Sequence, residues 1–134
     1  MAYGCIETDP KAAFVDRLVA IRAALQTLIK EFSPTRAAVE ELFFYKNVTT
    51  AIAVGHARGV ILLTCAEAGL PIDEYTPLQV KQAVSGYGRA GKDQVQKLIG
   101  LHFGLEERVQ DDAADALAVA LTAGVALAFK KRTA

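Results

Sequence analysis

Three carboxylates stand at positions that suit metal-assisted hydrolysis. Glu40 follows the short apolar run 37–39, and Asp112 and Asp115 are three residues apart near the start of a long apolar stretch. Residues three apart share one face of a helix, so Asp112 and Asp115 are expected to project together. Sets of carboxylate oxygens are what Mg²⁺ prefers, and paired Mg²⁺ ions suit phosphodiester cleavage. The pattern therefore favours a magnesium site built from Glu40, Asp112 and Asp115.

Each part of this set also has a purely structural explanation. Glu40 and Glu41 can end a strand in solvent, since carboxylates are seldom buried. Asp111 and Asp112 can stand at a helix start because acidic side chains in the first turn interact favourably with the helix dipole. Asp115 lies deeper in the helix, among Ala, Leu and Val residues, and the dipole does not account for it.

The composition is that of one globular domain, predicted to span residues 1–134. Of the 134 residues 52% are hydrophobic and 22% are charged, which is enough apolar surface for one core. Fifteen basic and fifteen acidic residues give a net charge of zero, so any binding to nucleic acid or to an anionic membrane would have to rest on local patches. The two cysteines have no metal-binding or disulfide-framework spacing, which indicates a reducing, cytoplasmic setting.

One segment has the composition of a membrane anchor. The apolar run 113–129 is followed by Lys130, Lys131 and Arg132. The run is shorter than the roughly 20 residues that a span needs, and it contains Asp115. Glu7 and Asp9 come too early for a signal peptide. We therefore predict a buried core helix and no membrane partner.

The elements that must position these residues alternate between strands and helices. Asp9-Pro10 is a typical N-cap and first-position proline. Strand, helix and strand in this order predict an α/β domain with a parallel core sheet flanked by helices. The predicted elements are a strand over Tyr3 to Thr8, an amphipathic helix from Asp9-Pro10 to Phe32 lying on a core, a buried strand over Arg36 to Leu42, a helix over Thr49 to Ala68, a strand over Pro71 to Tyr75, a helix from Pro77, a glycine-rich loop over Ser85 to Gly91, and helices over Lys92 to Phe103 and Asp111 to Phe129.

Four blocks of the sequence resemble the bacterial RuvC-type Holliday junction resolvases, in the family's order and spacing. The similarity extends from Tyr3 to about Phe129, and the last two blocks are highly specific together. The blocks are EELFFYKN at 40–47, GHARG at 55–59, QVKQAV at 79–84 with Gly86, Gly88, Lys92 and QV at 94–95, and DAADALA at 112–118.

The resemblance implies a ribonuclease H-like fold and an Mg²⁺-dependent endonuclease of recombination and repair. By it, Glu40, Asp112 and Asp115 are metal ligands, with two Mg²⁺ ions per subunit. The implied partners are a four-way DNA junction, a second copy of the chain and a branch-migration helicase complex. Gly55 and Gly59 fall on the helix that resembles the family's dimer element, although packing within the chain explains these glycines equally well.

The resemblance also assigns DNA contacts. Phe43 matches the aromatic residue that enters the junction, and its neighbour Phe44 is expected to share the task. Lys81 and Lys92 match basic residues near the scissile phosphate, which makes Lys92 catalytic as well as DNA-binding. Arg89, in the glycine-rich loop, is expected to add a phosphate contact, and the structural alternative for all three is a solvated basic edge.

The sequence also departs from the family pattern. Members begin with a strand that ends in a Gly-Ile-Asp-Pro-Gly type motif, whose aspartate is a further metal ligand. This sequence starts within what resembles the third strand. One expectation is that Tyr3 to Thr8 takes the vacated place in the sheet, so that Glu7 or Asp9 substitutes for the missing ligand. The alternative function is a non-catalytic junction-binding protein. A small-molecule-binding α/β module is disfavoured, because the sequence has no glycine-rich phosphate loop at a strand-to-helix turn.

Overall fold

The chain folds into five helices and two short strands over the residues that the structure describes. The computed structural model describes residues 1–41, 48–86 and 88–134. The elements are α1 (Phe14–Phe32), β1 (Ala37–Glu40), α2 (Val48–Glu67), β2 (Ile72–Tyr75), α3 (Pro77–Ser85), α4 (Lys92–Phe103) and α5 (Asp111–Thr133). The predicted alternation of helices and strands is confirmed from α1 onwards.

The strands β1 and β2 pair in parallel. The Ala37 N–H donates to the Pro71 carbonyl oxygen at 2.9 Å, and the Glu41 N–H donates to the Tyr75 carbonyl oxygen at 2.7 Å. Both bonds join residues with the same offset along the chain, as parallel register requires. The connection between the strands contains α2, so the pair is a strand–helix–strand unit.

Two predictions for the N-terminal segment were wrong. Tyr3 to Thr8 forms no strand, and the sheet of the described residues consists of β1 and β2 alone. The first helix begins at Phe14 and not at Asp9-Pro10, because Asp9 closes a turn instead of capping the helix. Its Oδ1 accepts from the Lys11 N–H at 2.9 Å, and its carbonyl oxygen accepts from the Ala12 N–H at 3.1 Å. The expected strand that would bring Glu7 or Asp9 beside Glu40 is therefore absent from this sheet.

The chain divides into two compact units, of which the first contains most of the buried core. This unit comprises Met1–Cys5, residues 38–41 and Asp73–Ala134. Its core is centred on α5, as predicted for the apolar run 113–129, and Ile99 of α4 is fully buried within it. The buried members are Val80, Ile99, Val109, Ala113, Ala114, Leu117, Ala118 and Val119.

The second unit comprises Ile6–Ala37 and residues 48–72, and it is a pair of packed helices with few buried side chains. The Arg22 guanidinium contacts the Glu67 carboxylate at 3.1 Å and so links α1 to α2. No residue of α1 is buried, which contradicts the prediction that this helix lies on a core. The physical reason is that a single neighbouring helix covers only a narrow stripe of α1. The prediction of one domain over 1–134 stays a prediction.

Two helices, α2 and α5, are long and apolar enough to cross a membrane by length and composition alone. In α5 apolar residues of the first half, such as Leu117 and Val119, belong to the core of the first unit, whereas Val125 and Phe129 near its end are exposed. In α2 the buried residues are Thr64 and Cys65. The absence of a membrane partner stays a prediction.

Candidate functional site

An open cavity of about 260 Å³ lies at the carboxyl end of β1 in the first unit. Four of its charged side chains come from four different elements. Glu40 ends β1, Lys81 lies on α3, Lys92 begins α4, and Asp115 lies on α5. The carboxyl ends of parallel strands are where α/β folds place their binding sites. The cavity therefore brings together four of the residues that the sequence singles out.

The start of α3 is fixed by a capping box that follows directly on β2. The Thr76 hydroxyl accepts from the Gln79 N–H at 3.1 Å, and the Gln79 side chain accepts from the Thr76 N–H at 2.8 Å. Pro77 occupies the first helical position, where its missing N–H has no consequence. Val80 is buried in the core, and the next residue, Lys81, lines the cavity.

The glycine-rich loop determines where α4 begins. Gly86 ends α3 in the left-handed region at φ 83°, and its N–H donates to the Gln82 carbonyl oxygen at 2.8 Å. Ala90 is buried, which fixes the end of the loop against the core. Lys92 then becomes the first residue of α4 and lines the cavity.

The rotation of α5 about its axis decides which aspartates face the cavity. Ala113, Leu117 and their neighbours on the same side of the helix are buried. The stripe that lines the cavity contains Asp111 and Asp115, four residues apart, whereas Asp112 does not line it. The sequence prediction missed Asp111, although the spacing of four residues between Asp111 and Asp115 is an equally valid signal for a shared face.

The pKa values of two cavity carboxyl groups, those of the half-buried Glu40 and the more exposed Asp115, are raised. Burial raises the pKa of Glu40, the nearby charge of Asp115 raises it further, and Lys81 lowers it. Burial likewise raises the pKa of Asp115, Lys92 opposes this shift, and Asp112 and Asp111 add to it. Partial removal from water thus disfavours the ionised forms of both carboxylates, and Lys81 and Lys92 offset this only in part.

This donor set fits a divalent cation in part. Glu40 and Asp115 offer carboxylate oxygens to one cavity, and a cation there would favour the ionised form of both side chains. Within residues 1–41, 48–86 and 88–134, however, no three His, Cys, Asp or Glu side chains converge closely enough to hold a metal ion by themselves. The roles of Glu40, Asp112 and Asp115 as ligands stay predictions.

Asp111 accepts from three donors at once. Its Oδ2 contacts Lys92 Nζ at 3.5 Å, while its Oδ1 accepts from Gln96 Nε2 at 3.2 Å and from Arg108 Nη2 at 3.5 Å. The hydrogen bond from Gln96 is the main cause that lowers the pKa of Asp111, and the charge of Lys92 is the next. Asp111 is therefore ionised and held in place.

The remaining predicted site residues lie elsewhere. Phe43 and Phe44 lie outside the described residues. Arg89 is exposed and does not line the cavity, and neither do Glu7 and Asp9. The cavity of the described residues thus contains both predicted lysines but not the third basic residue.

Comparison with known proteins identifies the family of the chain. Residues 1–123 match the family "Crossover junction endodeoxyribonuclease RuvC". The protein of this name from Moorella thermoacetica is 55% identical over 122 residues, which is 90% of this chain and 73% of that protein. The corresponding protein from Heliobacterium modesticaldum is 54% identical over 122 residues, covering 90% of this chain and 75% of the relative.

Solved structures agree with this match. RuvC from Thermus thermophilus superposes with a TM-score of 0.78 at 40% identity, covering 87% of this chain and 71% of that chain. The same protein in complex with a Holliday junction substrate gives a TM-score of 0.82, over 87% of this chain and 72% of that one. The ribonuclease H-like fold implied by the four blocks is confirmed. The chain belongs to the RuvC family of crossover junction endodeoxyribonucleases, which hydrolyse phosphodiester bonds of DNA.

Proposed function

We propose that this chain resolves four-way DNA junctions by Mg²⁺-dependent hydrolysis at the cavity that contains Glu40 and Asp115. The observation that carries the proposal is the meeting of two carboxylates with Lys81 and Lys92 at the end of a parallel strand. Two bound Mg²⁺ ions per subunit would supply an activated water and stabilise the leaving oxygen. Glu40, Asp115 and the neighbouring Asp112 would hold them.

The charges of the cavity suit a phosphodiester group. Lys81 and Lys92 offer ammonium groups to phosphate oxygens, and Arg89 adds positive charge on the loop between α3 and α4. The cavity has a volume of about 260 Å³ and is open to solvent, so a phosphate group can reach these side chains. Phe43 and Phe44 would stack on unpaired bases at the junction.

We further propose that the chain acts as a homodimer through the α2 surface. Val48, Ile52 and Leu63 on α2 are 77%, 56% and 57% exposed, respectively. At Gly55 and Gly59 an added Cβ atom would meet no described atom within 4 Å, so the described chain does not itself use the close approach that these glycines allow. A symmetric pair would present two cavities to two opposing DNA strands.

The family resemblance supports the proposal that this dimer works with a branch-migration helicase complex in the cytoplasm. Cys5 and Cys65 are both free thiols, which is compatible with a reducing compartment. Affinity capture of the chain from bacterial lysate in the presence of a four-way junction tests the helicase partner, which should be retained only when the junction is present.

The variant Asp115→Asn tests the catalytic proposal. Asparagine keeps the shape but removes a charge that the cation needs, whereas DNA binding rests on basic and aromatic residues elsewhere. We expect Mg²⁺-dependent cleavage of a labelled four-way junction to be abolished, with junction affinity in Ca²⁺ changed by less than about threefold. Asp93→Asn, at an exposed carboxylate that does not line the cavity, is the matched control.

Cleavage by Asp115→Asn within a few-fold of the parent would contradict the ligand role. A parent chain that binds the junction tightly but cleaves none of it in Mg²⁺ or Mn²⁺ would favour the non-catalytic junction-binding protein. If the parent chain cleaves the junction, the Asp93→Asn control should cleave it at the same rate.

Salt dependence tests the division between basic and aromatic contacts. Replacing Lys81 and Lys92 by Ala should flatten the dependence of junction affinity on salt, by about 0.9 in logarithmic slope for each phosphate contact. Phe43→Ala should cost about 1–3 kcal/mol of binding without changing the slope, since stacking releases no counterions. Identical slopes in the two variants would contradict these assignments.

A further inference from the structure

The Lys92 ammonium contacts one carboxylate of α5 and acts through its charge on a second one. It contacts Asp111 Oδ2 at 3.5 Å, and its charge lowers the pKa of Asp115. Asp111 and Asp115 are four residues apart on one helix, so they lie on the same face and both line the cavity. One flexible lysine therefore has two neighbouring anions with which to pair.

Asp111 is oriented towards Lys92 by a fixed set of donors. Gln96 Nε2 donates to Asp111 Oδ1 at 3.2 Å and to the carbonyl oxygen of the buried Val109 at 2.9 Å. Arg108 Nη2 reaches the same Oδ1 at 3.5 Å. Because these donors occupy Oδ1, Oδ2 is the oxygen left to face Lys92.

The contact between Lys92 and Asp111 is too exposed to stabilise the fold appreciably. The two side chains are 71% and 47% exposed, and surface ion pairs of this kind contribute little to stability. A small difference between two weak ion pairs is nevertheless enough to decide which carboxylate the lysine contacts. The contact therefore matters for the arrangement of charges in the cavity.

We propose that Asp111 is a positioning residue that holds Lys92 away from Asp115. It leaves the Asp115 carboxylate open to a divalent cation and the Lys92 ammonium open to a DNA phosphate. Without Asp111, Lys92 pairs with Asp115 and competes with the cation. This inference rests on the proposed function insofar as Asp115 is taken as a cation ligand.

Zero-length carbodiimide crosslinking tests the pairing without any cation. In the parent chain, tryptic mapping should find Lys92 linked mainly to Asp111. In Asp111→Asn, the yield of the link between Lys92 and Asp115 should rise at least about threefold, because the lysine has lost its preferred partner. Asp111→Glu, which keeps the carboxylate, should retain the parent's low yield of that link. An unchanged yield in Asp111→Asn would overturn the proposal.

Cation affinity provides the second test, with Mn²⁺ as the probe and titration calorimetry as the readout. Asp111→Asn should weaken Mn²⁺ binding about threefold to fivefold in the parent background but less than about twofold in a Lys92→Met background, where the competing ammonium is absent. Equal losses in both backgrounds would mean that Asp111 acts as a ligand or by charge alone, which would overturn the proposal.

Two further variants in the same calorimetric experiment distinguish failure of this inference from failure of the proposed function. Asp93→Asn removes a carboxylate that also pairs with Arg108, at 3.2 Å, but that has no contact with Lys92 among the described hydrogen bonds. It should leave Mn²⁺ affinity within about twofold of the parent. Loss of binding in Asp115→Asn supports the proposed site. If the parent itself binds no Mn²⁺, the proposed function fails, and the crosslinking result alone decides the role of Asp111.

Discussion

The two compact units of this chain differ in how they use apolar residues. The first buries its apolar side chains around α5, with Ile99 at 0% exposure, and places the cavity beside that core. The second exposes them, with Val15 and Val19 of α1 at 67% and 61% exposure. A site that depends on side-chain geometry needs a packed scaffold, whereas an exposed apolar helix pair is suited to contact with another molecule.

The ion pairs of the two units also differ in what they connect. In the first unit Asp111 gathers donors from α4 and from the segment before α5, so the ion pairs organise the cavity. In the second unit the Arg22–Glu67 pair joins α1 to α2 at the surface, with side chains 46% and 48% exposed. A pair this exposed adds little stability, so the helix pair depends chiefly on apolar contact.

Truncation in the core should produce the largest effect. Ile99→Ala should lower the free energy of unfolding by about 2–5 kcal/mol, since it removes a fully buried side chain and leaves a cavity. Val19→Ala in α1 is the matched change in the second unit and should alter it by less than about 0.5 kcal/mol. Urea titration followed by circular dichroism measures both, and similar losses would show that the units do not differ as described.

A polar substitution on α2 should affect association more than folding. Ile52→Ser replaces a side chain that is 56% exposed in the single chain. If α2 forms the dimer contact, the dissociation constant should rise about tenfold or more, which corresponds to about 1.4 kcal/mol or more. Sedimentation equilibrium measures this change. Ile99→Ala provides the contrast, and a dimer that forms equally well in the Ile52→Ser variant would place the contact elsewhere.

Removal of the capping box should give a smaller loss. Thr76→Ala deletes the hydroxyl that accepts from the Gln79 N–H and should cost about 1 kcal/mol. Thr27→Ala in α1 removes a hydroxyl that bonds within the helix to the Ala23 carbonyl oxygen. Because Ala is the better helix former there, this control should be neutral or slightly stabilising. Thermal unfolding of both variants tests the contrast.

The pH dependence of stability should have opposite signs at two carboxylates of the cavity. Burial raises the pKa of Glu40 above its unfolded value, so its stabilising contribution is present at low pH and lost as pH rises through the folded pKa. Glu40→Gln removes this loss and should raise the melting temperature relative to the parent progressively from pH 4 to pH 7.

Asp111→Asn should do the reverse. The hydrogen bond from Gln96 and the charge of Lys92 lower the pKa of Asp111, so its contribution is present at neutral pH and lost as pH falls through the folded pKa. The variant should therefore melt below the parent at pH 7 and approach it at low pH. The effect should be slight because the carboxylate is largely solvated. Shifts of the same sign in both variants would contradict the assignment.

Much of the fold could be predicted because its signals are local. The bounds of α4, Lys92–Phe103, agree with the prediction at both ends, and α2 agrees within one residue. Helical periodicity, Pro77 at a first position and Gly86 and Gly91 around a loop are all set by neighbours in the chain. The four blocks that indicate the RuvC family are likewise readable from residue types and order.

The strand and the helix start at the N-terminus could not be predicted in this way. Asp9-Pro10 is compatible with both a helix cap and a turn, and the Lys11 N–H selects the turn. Tyr3 to Thr8 has the composition of a strand, but a strand requires a neighbour to bond, and β1 and β2 pair only with each other in the described sheet.

By itself the sequence determined the family, the alternation of strands and helices and four residues of the cavity, namely Glu40, Lys81, Lys92 and Asp115. Tertiary structure alone decided that Asp111 and not Asp112 completes the lining. Successive residues of a helix point about 100° apart, so which of two adjacent aspartates faces a cavity depends on the side of the helix that the core buries. For α5 that side is fixed by packing against residues distant in the chain, such as Val80 and Ile99.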